Sequence, residues 1–317
     1  MKISVQTLII FIAMITDNIS FGQTNETNIS DQIAEYKYET KYVSINDSTN
    51  IAYVDEGSGD QILLFIHGLA TYLPAWYKNI EGLQSKYRCI AIDLPGYGRS
   101  TKSNSGAGMS KYADAVLMVI EKLDLKKVVL VGHSMGGQVA VTAVLKKEDA
   151  FDKLILLAPA GIETFSSDQS TWLKAVFTPD FVKLATDEQI RKNWELNFYK
   201  MPDAVDFMIK DRIAMKQASD FALYGQTIVG GLQSMLDEPI IGQLSTIRQK
   251  TLIVYGANDA LIPNKNLNPT LDTQKVGELG KSLIPNAELV MIPECGHFIS
   301  YDKPEEINKL LDEFLTN

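Results

Sequence analysis

Short, continuous apolar runs recur along this chain of 317 residues and give the first structural prediction. Each run has four or five residues and is rich in Ile, Val and Leu, and the runs are Ile62–Ile66, Cys89–Ile92, Val128–Val131, Leu154–Leu157, Leu252–Tyr255 and Leu289–Ile292. Apolar runs without polar alternation are typical of strands that are covered on both faces of a parallel sheet. Two earlier segments, 36–45 and 50–55, alternate instead and predict a strand pair joined at Asn46-Asp47-Ser48.

Helical patterns lie between these runs. One apolar face with i, i+3, i+4 and i+7 spacing is formed by Ala113, Val116, Leu117, Ile120 and Leu123. A second helix is predicted over Glu305–Phe314, after Pro304. Strand–helix alternation of this kind predicts an α/β fold with a doubly wound, mostly parallel sheet.

One interval, residues 162–245, breaks the alternation. It contains no convincing strand, yet it holds two of the three tryptophans, Trp172 and Trp194. The pattern predicts a helical insertion between two strands of a core that is formed by residues 36–161 and 246–317.

The amino terminus is predicted to lie outside the fold. Lys2 precedes an apolar run over residues 8–15, which is too short to span a bilayer, since a transmembrane helix needs about 20 apolar residues. With the small residues Ser20 and Gly22, this pattern predicts a signal peptide over residues 1–22 and a secreted or periplasmic protein. An uncleaved anchor is the alternative. Residues 23–35 are polar and are predicted to be a flexible leader.

Composition and charge exclude several classes of partner. The chain carries 30 Lys and Arg against 39 Asp and Glu, a net charge of -9, and this balance disfavours binding to nucleic acid or anionic lipid. Mean hydropathy is -0.03, as in soluble globular proteins. The two cysteines and three histidines show no zinc-ligand spacing, and no cofactor is expected.

The chemistry is concentrated in loops that follow the predicted strands. Gly132-His133-Ser134-Met135-Gly136 follows one strand and precedes a helical stretch, which is the context that a G-x-S-x-G nucleophile elbow requires. In this turn the hydroxyl of Ser134 projects above the sheet. The helix amino terminus behind it favours developing negative charge.

Two further loops supply the partners of a serine nucleophile. Asp259 follows the strand at 252–255, and His297 follows the strand at 289–292, so the acid and base come in the order Ser134, Asp259, His297. The loop after the strand at 62–66 reads His67-Gly68-Leu69. The backbone N–H of Leu69 is the candidate partner of the Met135 N–H in an oxyanion hole. His67 itself is predicted to fix that loop rather than act as the base.

These motifs together resemble the α/β-hydrolase superfamily over residues 36–317. The matching segments are HGL, DLPGYGRS, GHSMGG, GANDALIP and CGHF, in this order. The resemblance implies an eight-stranded sheet with a helical cap between strands 6 and 7. It also implies a catalytic triad of Ser134, His297 and Asp259.

The residue at the elbow limits the reaction classes that are possible. Haloalkane dehalogenases and epoxide hydrolases are similar elsewhere but carry aspartate there, whereas Ser134 implies acyl transfer to water. The expected activity is hydrolysis of small carboxylic esters, and the aromatic residues and methionines of the cap favour short to medium apolar acyl chains.

Two alternatives stay open. One is a carbon–carbon bond hydrolase of the meta-cleavage product type. These enzymes share GHSMGG but typically carry a tryptophan after the acid and an arginine in the cap. No tryptophan follows Asp259, and the cap arginines Arg191 and Arg212 belong to no recognised motif. The other alternative is a binding protein without catalytic activity, although no member of the triad is missing.

Overall fold

The computed structural model describes residues 27–104 and 106–317, and an eight-stranded sheet forms the centre of the described part. The strands are β1 (Lys41–Asn46), β2 (Thr49–Glu56), β3 (Ile62–Ile66), β4 (Arg88–Ile92), β5 (Val128–His133), β6 (Phe151–Leu157), β7 (Lys250–Gly256) and β8 (Ala287–Ile292). Their order is β1-β2-β4-β3-β5-β6-β7-β8, with β1 and β2 antiparallel to their neighbours and all other pairs parallel. The carboxyl ends of β3, β5, β7 and β8 therefore meet at one edge.

Helices flank this sheet and fill one long insertion. They are α1 (Ile29–Gln32), α2 (Tyr77–Leu83), α3 (Met109–Lys122), α4 (Met135–Lys146), α5 (Ser167–Val176), α6 (Pro179–Leu184), α7 (Asp187–Glu195), α8 (Asp206–Ala214), α9 (Phe221–Asp237), α10 (Thr273–Leu283), α11 (Ile299–Asp302) and α12 (Pro304–Thr316). All five residues of β3 are buried. Successive side chains of a strand point to opposite faces, so both faces of the sheet centre are covered.

The predicted fold class is confirmed. Each of the six apolar runs lies inside a strand, and the helical cap lies between β6 and β7, the sixth and seventh strands. The first strand differs, because it begins at Lys41 rather than at residue 36. Tyr36 precedes it, and the Tyr36 hydroxyl donates a hydrogen bond to buried Asp93 at 2.6 Å, which holds this stretch outside the strand pair.

The cap consists of two layers. The inner layer is α8 and α9, and α9 contacts the core helices α3 and α4. The outer layer is α5, α6 and α7, of which α5 and α6 pack on α9 while α7 packs on α8. No helix among residues 27–104 and 106–317 is long and apolar enough to cross a membrane.

The prediction of a flexible leader is wrong for residues 27–35, which we call the strap. Its Ile29 is fully buried, and the Ile29 N–H donates to the carboxylate of Asp220 in the cap at 2.8 Å. The Ala34 N–H donates to Asp211 at 3.0 Å, and Arg99 of the core donates to the Ala34 carbonyl at 3.1 Å. Two buried isoleucines hidden in a polar stretch hold the strap against both core and cap. The predicted signal peptide lies outside the described residues, as do residues 23–26.

Candidate active site

Ser134 occupies a strained turn between β5 and α4. Its φ is 53° and its ψ is -119°, a conformation that a residue with a side chain adopts only under constraint. The constraint is visible in the hydrogen bonds: the Ser134 N–H donates to Leu157 at 3.0 Å, and its carbonyl accepts from Gly137 and Ala160 at 2.9 and 3.0 Å. The elbow is therefore fixed by β6, by the start of α4 and by the loop after β6.

Two glycines allow this turn to pack. A Cβ on Gly132 would lie 2.3 Å from the Gly136 carbonyl oxygen, and one on Gly136 would lie 2.2 Å from the Ile66 carbonyl oxygen. No side chain fits at such separations. The backbones of β5, α4 and β3 therefore contact each other directly at these two positions. This close contact is the physical reason that the motif requires both glycines.

His297 and Asp259 form a buried pair at the same edge of the sheet. The His297 Nδ1 lies 2.7 Å from Asp259 Oδ2, and the residues are 3% and 4% exposed. The other oxygen of Asp259 accepts hydrogen bonds from the N–H groups of Leu261 and Ile262, at 2.8 and 2.9 Å. These bonds fix the carboxylate, and the carboxylate in turn orients the imidazole ring.

Other acids could have been assigned to this role from sequence order alone. Asp237 pairs with Lys174, Asp272 pairs with Lys275 at 3.5 Å, and Glu294 pairs with Lys303 at 3.8 Å. All three carboxylates are about half exposed or more. Among the described residues, only Asp259 forms an ion pair with His297.

His67 fixes the loop after β3. Its Nε2 accepts a hydrogen bond from the Leu94 N–H at 3.0 Å, and its Nδ1 donates to the Gly68 carbonyl at 2.8 Å. Burial lowers the pKa of His67, so the ring stays neutral near neutral pH. These two hydrogen bonds confirm the expected structural role of His67.

The loop of His67 brings Leu69 beside the elbow. A Cβ on Gly68 would lie 3.2 Å from the Ser134 Cβ, so this backbone runs directly past the serine. Met135 is the first residue of α4, where an N–H group has no partner inside the helix. Within the described part of the chain, neither the Leu69 N–H nor the Met135 N–H donates to a backbone carbonyl.

His133 has a structural contact that the sequence did not reveal. Its Nε2 donates to the His297 carbonyl at 2.9 Å, and its ring stacks on Phe298 with 5.2 Å between centroids. Burial, followed by the neighbouring His297, lowers the pKa of His133 to about 3. His133 is therefore neutral and acts as a donor that holds the backbone of His297. No pattern of polarity at position 133 could have shown this contact.

The cap lies over this edge of the sheet and forms, with the loop after β3, a half-open cavity of about 150 Å³. Leu69, Ala70 and Thr71 of the core line its floor, whereas Ser134 and His297 do not line it. The cap contributes mostly apolar side chains, together with the arginine of α8: Phe177, Phe181, Val182, Ala185, Ile190, Asn193, Trp194, Asn197, Arg212 and Ile228. The cavity therefore reaches the predicted oxyanion loop from the cap side.

Metal binding and cysteine chemistry find no support among the described residues. No group of three or more His, Cys, Asp or Glu side chains could hold a metal ion there. Cys89 and Cys295 are both free and buried. Burial raises the pKa of the Cys295 thiol well above its usual range, so this neighbour of His297 stays protonated.

Comparison with known proteins places the chain in a family. Residues 61–304 match the model of the α/β hydrolase fold. A 2-hydroxy-6-oxononadienedioate/2-hydroxy-6-oxononatrienedioate hydrolase of Pseudomonas putida is 28% identical over 293 residues, covering 89% of this chain and 98% of the relative.

Two solved structures have the same fold. A probable hydrolytic enzyme from Pseudomonas aeruginosa PAO1 superimposes with a TM-score of 0.81 at 22% identity, covering 92% of this chain and 98% of the other. An esterase from Exiguobacterium antarcticum gives a TM-score of 0.75 at 24% identity, covering 88% and 100%. The match of the family model over most of the chain shows that this protein is a hydrolytic enzyme of the α/β-hydrolase family.

Proposed function

We propose that this enzyme hydrolyses carboxylic esters of short to medium acyl chains, with Ser134 as nucleophile, His297 as general base and Asp259 as the acid that orients it. The observation that carries the proposal is that a strained serine at a helix amino terminus and a buried Asp259–His297 pair lie at the same edge of the sheet. Serine in this position supports acyl transfer.

In the proposed reaction, His297 takes the proton of the Ser134 hydroxyl as the oxygen attacks the ester carbonyl. The N–H groups of Leu69 and Met135 donate to the oxyanion of the tetrahedral intermediate. His297 then returns the proton to the leaving alcohol, which departs and leaves an acyl-enzyme. Water, deprotonated by the same histidine, releases the acid and restores Ser134.

The apolar side chains around the cavity support the proposed acyl preference. Burial of each methylene contributes about 0.8 kcal/mol, so kcat/KM rises up to about fourfold per carbon until the space is filled. A volume of about 150 Å³ lies below the roughly 300–1,000 Å³ of pockets for drug-sized ligands, which favours short chains.

A serine-reactive fluorophosphonate tests the nucleophile, and 4-nitrophenyl esters of graded chain length test the substrate. We expect labelling of wild type and of Ser103→Ala, no labelling of Ser134→Ala, and an optimum at short to medium chains. Labelled Ser134→Ala protein would overturn the assignment. Fast cleavage of vinylogous diketones with slow ester turnover would instead establish the carbon–carbon hydrolase.

We also propose that residues 1–22 are an export signal and that the mature enzyme is secreted or periplasmic. The support is the cation at position 2, the short apolar run and the small residues that follow it. Amino-terminal sequencing of exported protein is expected to start near Gln23. Recovery of intact Met1 from a membrane fraction would show an anchor.

A further inference from the structure

Arg212 is a buried cation that has no carboxylate partner among the described residues. It lies in α8 and is only 8% exposed. Its Nη2 donates to the Val182 carbonyl at 3.3 Å, while its Nη1 is buried and has no hydrogen-bond partner in the described part of the chain. A charged group that is taken out of water without an ionic partner is costly, so buried arginines are normally paired.

The acidic residues nearest to Arg212 in the sequence bind other partners. Asp211 accepts hydrogen bonds from the Tyr72 hydroxyl at 2.5 Å and from the Ala34 N–H at 3.0 Å. Asp206 pairs with the other cap arginine, Arg191, at 3.1 Å. Among the described residues, no acidic side chain forms an ion pair with Arg212.

Two aromatic rings compensate for part of this cost. The guanidinium carbon of Arg212 lies 5.1 Å from the centroid of Phe221 and 5.6 Å from that of Tyr224. Ring faces attract a cation, and arginine is hydrated weakly enough to accept such surroundings. A ring face attracts the cation without accepting its N–H bonds as a carboxylate would, and the Nη1 group keeps no partner among the described residues.

Arg212 also lines the cavity that reaches Leu69. The other residues that line the cavity are mainly apolar and include Phe177, Ile190 and Ile228. A ligand that fits has a short apolar portion and a negative group. Guanidinium and carboxylate match as a planar, two-bond pair, which a neutral ester chain cannot form.

We propose that Arg212 binds a carboxylate carried by the substrate, so that the preferred esters bear a second, ionised carboxyl group a few bonds from the scissile ester. The inference rests on the proposed ester hydrolysis and narrows its substrate class. The net charge of -9 disfavours anions in general. At the short range of a buried contact, however, the local charge of Arg212 determines the interaction.

The test compares esters that differ in charge but little in size. The acyl-side pair is mono-4-nitrophenyl glutarate and 4-nitrophenyl pentanoate, and the leaving-group pair is 4-carboxyphenyl pentanoate and 4-nitrophenyl pentanoate. The measured quantity is the ratio of kcat/KM for the anionic ester to kcat/KM for the neutral one. Comparing this ratio between variants cancels the intrinsic reactivity of each ester.

In Arg212→Gln we expect the ratio to fall about tenfold or more for at least one pair, mainly through KM of the anionic ester. Arg191→Gln is the matched control, since it removes the same charge from an exposed cap arginine, and its ratio should equal that of wild type. Ratios within twofold of wild type for both pairs in Arg212→Gln would overturn the proposal.

A binding measurement separates this inference from the proposed function. Glutarate is expected to raise the Tm of wild type and Arg191→Gln but not of Arg212→Gln. If no ester is hydrolysed while glutarate still stabilises wild type in this way, ester hydrolysis is wrong and the anion site stands. Absence of the glutarate effect in wild type overturns the site. If Arg212→Gln does not fold, Arg212→Lys replaces it, because lysine keeps the charge but lacks the planar guanidinium. We expect the ratio to fall in Arg212→Lys, but by less than the tenfold expected for Arg212→Gln.

Discussion

The loops at the carboxyl edge of the sheet and the outer cap helices are held in contrasting ways. Asp259 and His297 are almost fully buried. The Asp259 carboxylate accepts from the Leu261 N–H, and the His297 carbonyl accepts from the His133 side chain. In the outer layer and the residues that follow it, large apolar side chains face solvent: Trp172, Val176, Phe181, Leu184, Leu196 and Tyr199. Regions with few buried contacts open at lower free-energy cost than packed ones. We therefore expect the outer layer to open at a lower free-energy cost than the loops that carry the proposed chemistry.

The two regions are nevertheless joined by hydrogen bonds, and one set of these involves the loop that carries His297. The Phe298 N–H donates to the Asn197 carbonyl at 2.7 Å, and Asp302 accepts from the N–H groups of Gly296 and Tyr199 at 2.7 and 2.8 Å. The loop that carries His297 thus shares hydrogen bonds with the end of the outer layer.

The largest expected effect is the loss of activity when His297 or Asp259, in the loops at the carboxyl edge of the sheet, is substituted. His297→Ala should lower kcat by about 10⁵-fold or more, and Asp259→Asn by about 10⁴-fold, because the acid orients the base and does not itself transfer the proton. Steady-state kinetics on 4-nitrophenyl butyrate, with circular dichroism as a folding control, measures both. Near-normal turnover in folded His297→Ala protein would show that another group is the base.

The strap is expected to give the next largest effect, on stability. Ile29→Ala removes a fully buried side chain between core and cap and should lower the free energy of unfolding by about 2–5 kcal/mol. Urea denaturation of the mature chain measures this. A loss below about 0.5 kcal/mol would mean that the strap contributes little to holding the cap.

A pH effect is expected from His133. Its pKa is 6.5 as a free side chain and about 3 in the fold. Below pH 6.5 the unfolded chain binds a proton that the folded chain does not, so stability falls as the pH drops from 6.5 toward 3. The slope from this one group is at most about 1.4 kcal/mol per pH unit. Unfolding at pH 7.5 and 5.5 should therefore show a weaker pH dependence in His133→Gln than in wild type. An unchanged dependence would contradict the proposed neutral state of this ring.

The smallest effect is expected in the outer layer. Leu184 is 72% exposed, so Leu184→Ala should change the free energy of unfolding by less than about 0.5 kcal/mol. Measured beside Ile29→Ala, this variant compares two aliphatic side chains of similar size in the two environments. A loss comparable to that of Ile29→Ala would show that the outer layer is covered in solution.

The sheet and the order of the site residues were predictable because their signals are local. Each apolar run needs only its own side chains to indicate a strand, and Gly132 and Gly136 are required by contacts inside one turn. The fold family followed from such motifs in sequence. Strand ends then bring Asp259 and His297 together without further information.

The strap and Arg212 were not predictable because their partners are remote in sequence. Ile29 is one apolar residue among polar ones, and no sequence pattern around it indicates that its backbone binds Asp220, which is far away in the chain. Arg212 is indistinguishable in sequence from Arg191, which is exposed and paired. Only the packing of the cap separates a solvated arginine from a buried one.

The position of the strap has a consequence for the order of folding. Ile29 and Asp220 are 191 residues apart in the chain, so their contact closes a long loop, and such contacts form late because the entropy of closure must first be offset by other structure. During synthesis the strap leaves the ribosome before any of its cap partners exists. We therefore expect the burial of Ile29 to follow the formation of both the core and the cap.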